Sequence, residues 1–72
     1  MVRLAAMGSE LTASQREEID RLAGQFGVEP DYGSFWRRAG LPRGHVQGTL
    51  GEYDVILTAD GIAARVSNVT RR

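Results

Sequence analysis

The residues best suited to chemistry lie between positions 31 and 45, in Asp31-Tyr32-Gly33-Ser34-Phe35-Trp36 and the run Arg37-Arg38-Ala39-Gly40-Leu41-Pro42-Arg43-Gly44-His45. The run holds three arginines and a histidine with no acid among them. Guanidinium forks suit phosphates and guanine edges, so Arg37, Arg38, Arg43 and His45, with Arg65 further along, are candidate nucleic-acid contacts. Aromatic residues flanked by arginine also dominate the energetics of protein interfaces. Tyr32, Trp36, Arg37, Arg38 and Arg43 are therefore candidate partner-binding residues. Catalysis by acid–base or covalent means needs a nucleophile beside a base, or paired carboxylates in different environments. Ser34 lacks the second glycine of a nucleophile elbow, and His45, the one imidazole, falls at a strand start, where an exposed residue is the ordinary occupant. Gly40 to His45 fits neither the Walker pattern nor a dinucleotide fingerprint. The expectation is a chain that is not an enzyme and holds no cofactor or metal.

Composition narrows the classes further. The 72 residues are 42% hydrophobic and 25% charged, and none is cysteine. That excludes a disulfide framework, a zinc finger, a thiol nucleophile and iron–sulfur ligation. No apolar run approaches the ~20 residues of a membrane span, and the N-terminus lacks a complete signal peptide. A cytoplasmic protein with no membrane partner is expected. The formal net charge is zero, whereas nucleic-acid-binding domains usually carry a basic excess. The charge is unevenly placed, however: residues 1–36 hold three arginines and six acids, and residues 37–72 hold six arginines and three acids. Every basic residue is arginine, a pattern that GC-rich coding also produces. At this size one core rarely contributes more than ~3–5 kcal/mol, which favours a partner protein or a homo-oligomer.

The elements that must position these residues follow from periodicity. Thr12-Ala13-Ser14-Gln15 and Ser14-Gln15-Arg16-Glu17 both fit a capping box, and Ile19, Leu22, Ala23 and Phe26 then share one helical stripe. Gly27 and Pro30 end it, giving a helix over 13–26. Tyr32, Phe35, Trp36 and Ala39 have the same spacing after Asp31, which predicts a short aromatic helix ended by Gly40 and Pro42. Arg37 and Arg38 would lie on its solvated side and in its last turn, where cations also suit the helix dipole.

From Gly44 the period changes to two. Val46–Leu50, Tyr53–Leu57 and Ile62–Ser67 read as strands. A II′ turn at Gly51-Glu52 sets Leu50 opposite Tyr53, Gly48 opposite Val55 and Val46 opposite Leu57. A two-residue turn at Asp60-Gly61 sets Ala59 opposite Ile62, Leu57 opposite Ala64, Val55 opposite Val66 and Tyr53 opposite Asn68. Both registers put Tyr53, Val55 and Leu57 on one face with Val46, Leu50, Ala64 and Val66. The other face carries His45, Gln47, Thr49, Asp54, Ile56, Thr58, Ala63, Arg65 and Ser67. Gly48 leaves room on the inner face, with Trp36 as candidate occupant. The expected fold class is α+β: a two-layer ααβββ domain with a three-stranded antiparallel meander packed on the long N-terminal helix and the short aromatic helix. One domain spans 1–72, with residues 1–8 and 69–72 flexible and Val2 to Ala6 able to add an edge strand.

Ile19-Asp20-Arg21-Leu22-Ala23-Gly24-Gln25-Phe26-Gly27-Val28 followed by Trp36-Arg37-Arg38-Ala39-Gly40-Leu41 resembles the helix-turn-helix of MerR-like and excisionase-type winged-helix proteins. The resemblance implies DNA binding through the exposed side of residues 31–39, with Arg37, Arg38 and Arg43 on phosphates and a β-wing following. Two functions are thus expected in order: a small non-catalytic protein-binding or regulatory module, and alternatively a small DNA-binding regulator of winged-helix type.

Overall fold

A computed structural model describes residues 11–68. Helix α1 (Ala13–Phe26) is followed by a 3-10 turn (Tyr32–Ser34) and by strands β1 (Val46–Leu50), β2 (Tyr53–Leu57) and β3 (Ala63–Asn68). The described chain is α+β, with one helix and an antiparallel sheet ordered β1-β2-β3. The expected flexible ends, 1–8 and 69–72, and the extra strand at Val2 to Ala6 lie outside the described residues.

Helix α1 begins at the first of the two capping boxes. The Thr12 hydroxyl accepts the Gln15 N–H at 3.0 Å, and Gln15 Oε1 accepts the Thr12 N–H at 2.9 Å. It ends at Gly27, whose φ of +74° is the left-handed conformation that glycine adopts without steric cost. Its stripe Ile19, Leu22 and Ala23 is buried in one cluster with Leu11, Phe35, Val46, Leu50, Val55 and Leu57. Phe26 at its C-terminal end stacks on Tyr53, with ring centroids 4.2 Å apart.

The β1–β2 hairpin has the expected register, Val46 opposite Leu57 through Leu50 opposite Tyr53. Gly51 has φ +59° and Glu52 has no positive φ, the pair of signs that a II′ turn requires. The β2–β3 hairpin departs at its tip. Among the described residues no non-glycine residue has positive φ, so Asp60 does not take part in the two-residue I′ turn that Asp60-Gly61 would otherwise form. Instead Thr58 and Ile62 close a three-residue loop, with Thr58 N–H donating to Ile62 O at 2.8 Å and Gly61 at φ +82°. The loop moves the pairing by one residue, so Leu57 lies opposite Ala63 rather than Ala64. A bulge then takes up Ala64, and Ile56 opposite Arg65, Val55 opposite Val66 and Tyr53 opposite Asn68 are as expected. In consequence Ala63, not Ala64, packs against the core, Ala64 is exposed, and Ile62 is 61% exposed. Val66 keeps its inner-face register but is 40% exposed at the sheet's edge.

The short aromatic helix is replaced by the three-residue turn Tyr32–Ser34 and an extended segment. Phe35 has φ −94° and ψ 120°. Trp36 then pairs with Gln47 of β1, donating its N–H at 3.0 Å and accepting at 2.9 Å. Ser34 secures the same edge, its hydroxyl donating to Thr49 O and accepting the Thr49 N–H, both at 2.9 Å. Successive side chains of an extended segment point to opposite sides. Phe35 accordingly turns into the core and Trp36 away from it, 46% exposed. The space over Gly48 is real, but Phe35 fills it: a Cβ on Gly48 would stand 2.5 Å from Phe35 Cγ.

Candidate binding surface

The basic run is shaped by two successive turns. Leu41 N–H donates to Arg38 O at 3.2 Å with Gly40 at φ +96°, and His45 N–H donates to Pro42 O at 3.1 Å with Gly44 at φ +84°. A glycine at the third position of each turn supplies the positive φ that such turns require. Folding back twice in eight residues brings Arg37, Arg38, Arg43 and His45 around one open depression of about 280 Å³, with Leu41 and Pro42 as its apolar wall. Four of the residues singled out in the sequence are therefore brought together. Among the described residues, no acidic one lines this depression. Among the described residues, neither Arg38 nor Arg43 has a side-chain hydrogen bond or ion pair. His45 Nδ1 is buried without a hydrogen-bond partner.

What holds this loop in place was not among the candidates. Gln15 is 1% exposed. Its Nε2 donates to Gly44 O and to Thr58 O, each at 3.0 Å, while its Oε1 caps α1. One buried carboxamide thus joins the helix start, the arginine loop and the β2–β3 hairpin. The sequence carries a signal for it: Gln15 lies four residues before Ile19 and seven before Leu22, on the buried stripe. Gly44 also packs so close to the hairpin that a Cβ there would stand 2.6 Å from Ala59 Cβ. Beside this contact a second depression of about 380 Å³ lies between Thr12, Gln15, Val46 and Ala59, and Arg37 borders both.

The remaining candidates are dispersed. Tyr32 is half-buried against the helix, its hydroxyl donating to Asp20 Oδ1 and its ring lying 5.3 Å from the Arg16 guanidinium carbon. That hydrogen bond, with burial and the Asp20 charge, raises the Tyr32 phenol above its ordinary range, against a smaller opposing effect of Arg16. Trp36 shares the sheet face opposite the core with Gln47, Ile56 and Arg65, which the pairings place in one row across three strands and the Trp36 bridge. On this face Gln47 Nε2 donates to both Asp54 carboxylate oxygens at 2.9 and 3.2 Å. Arg65 is exposed at the far end of the row and does not line the arginine depression. Among the described residues no three His, Asp or Glu side chains converge as metal ligands, and no helix is long and apolar enough to cross a membrane. No protein-family model matches the chain, and no curated protein or solved structure is significantly similar to it.

Proposed function

We propose that this chain is a small non-catalytic protein-binding or regulatory module, and that Trp36 is the centre of its contact surface. The observation that carries this reading is a tryptophan 46% exposed on a backbone fixed by two hydrogen bonds to β1. Tryptophan and arginine are the residues most often responsible for interface affinity. A backbone already ordered before binding loses less conformational entropy on association. Ile56, one strand beyond Gln47 in the same row, and the arginines that follow Trp36 add apolar surface and a basic rim to this face. A photo-crosslinking amino acid placed at position 36 should give a discrete protein adduct in cells, or a dimer of this chain in vitro. The same group at exposed Glu17 should not. Adducts at both positions, or at neither, would remove the reading.

A second reading, a small DNA-binding regulator, is favoured by the convergence of Arg37, Arg38, Arg43 and His45. With a three-residue turn where the winged-helix resemblance places its recognition helix, that reading rests on the arginine loop alone. Light scattering with mixed-sequence duplex DNA tests it: a complex that forms at low salt and dissolves at moderate salt supports it, and an unchanged mass rejects it.

A further inference from the structure

We infer that the open depression bordered by Arg37, Arg38, Arg43 and His45 is a binding site for a single phosphoryl group, that of inorganic phosphate or a phosphomonoester. This goes beyond the Trp36 surface and does not depend on it. Three arginines border one concavity, with no acidic side chain among the described residues that line it. Arginine forks donate two parallel hydrogen bonds to phosphate oxygens, and such charge-assisted bonds are the stronger ones. The guanidiniums of Arg38 and Arg43 are uncommitted among the described residues, so binding an anion breaks no ion pair at either.

The size of the depression selects a small ligand. About 280 Å³ falls just below the roughly 300–1,000 Å³ typical of sites for drug-sized molecules. It matches one tetrahedral anion and a short substituent better than a chain of evenly spaced phosphates. Leu41 and Pro42 offer that substituent an apolar wall. His45 supplies the second, independent indication. A buried polar atom left without a partner costs about 1–3 kcal/mol, and His45, one of the residues lining this depression, has such an atom in its Nδ1. A turn of the His45 ring that brings Nδ1 to the depression's surface would let a phosphate oxygen, or a water that it orders, give the imidazole the partner that the protein does not.

The loop is also built to keep its shape. The Gln15 amide holds Gly44 O at 3.0 Å, and Ala59 abuts Gly44. The arginines are therefore carried on a segment tied to the helix and to the sheet, which limits the ordering cost of binding.

The test is a titration of the purified full chain with inorganic phosphate and with phenyl phosphate at low chloride, read from the NMR signals of the arginine Nε–H groups and the His45 imidazole. Saturable one-site shifts confined to Arg37, Arg38, Arg43 and His45 are expected. Arg38→Gln and Arg43→Gln should each weaken binding about tenfold or more while leaving the sheet amide signals in place. Trp36→Ala should leave the affinity unchanged, so failure of the Trp36 surface and failure of this site are separable. Equal affinity for the two probes assigns the site to the free anion, and tighter binding of phenyl phosphate assigns it to a phosphomonoester. Non-saturating shifts spread over other arginines would overturn the inference, as would undiminished affinity in Arg43→Gln. Preferential binding of duplex DNA, with the steep salt dependence of many phosphate contacts, would overturn it too.

Discussion

Phe35 and Trp36 are neighbours in sequence with opposite environments, 4% and 46% exposed, and substitution should separate them. Phe35→Ala empties the space over Gly48 and should cost about 3–5 kcal/mol, enough to unfold most of a domain this small. Trp36→Ala should leave the unfolding free energy from urea titration within about 0.5 kcal/mol of the parent, as exposed sites usually do. Gly48→Ala sets a methyl group against Phe35 from the other side, 2.8 Å from its Cα as well as close to its ring, and overpacking of this kind costs about 1–3 kcal/mol. At this scale the sequence was legible in part. A glycine in mid-strand announces a close approach, but the identity of the approaching residue depends on the backbone period of residues 32–39. In a helix Phe35 and Trp36 lie on one stripe; in an extended segment they diverge. The second occurs because the segment gains strand hydrogen bonds to Gln47, a long-range pairing that spacing within 31–39 does not contain.

Helix α1 was legible to its ends because its caps are local: Thr12, Gln15 and Gly27 each act within a few residues. The β1–β2 register was legible for the same reason, through Gly51. The β2–β3 tip was not, since Asp-Gly serves both a two-residue turn and the last two places of a three-residue loop, and only the bulge at Ala64 reconciles the loop with the register beyond it. Gly61 is the test of that tip. Its φ is +82°, and an added Cβ would stand 2.6 Å from the Ser14 carbonyl, so Gly61→Ala should lower stability by at least the ~1–3 kcal/mol of a left-handed non-glycine residue. Next to the tip, the hydrogen bonds from Arg21 hold the Glu18 carboxyl below its ordinary range. Burial opposes this, and the Arg21 charge and the Ala63 backbone N–H reinforce it. Because the folded pKa lies below the unfolded value of about 4.3, the stability this provides is complete above that value and lost as pH falls through the lowered one. Arg21 is 60% exposed, so the contribution is small. Urea midpoints of Glu18→Gln should accordingly lie slightly below the parent at neutral pH and converge with it once the pH has fallen below the lowered Glu18 value.

Across the whole molecule, a chain of 72 residues with no cysteine has few means of joining its parts besides its core. The arginine loop was visible in the sequence as a cluster, yet its curvature was not, because that depends on Gly40 and Gly44 adopting positive φ and on an amide contributed from 29 positions away. Replacing Gln15 by Met, close to it in shape, would remove the donor to Gly44 O and the acceptor of the Thr12 N–H, while Thr58 O keeps the Gly61 N–H, and a loss of about 1–3 kcal/mol per unsatisfied group is expected. The junction also bears on motion. Fraying of the helix start, swinging of the basic loop and fluctuation of the hairpin tip would otherwise be three separate local unfolding events; with one side chain shared among them they become a single event. Hydrogen exchange would then show the amide protons of Gln15, His45 and Gly61 opening with one common protection factor in the parent and with three distinct ones in Gln15→Met, making the basic loop only as mobile as the end of the helix.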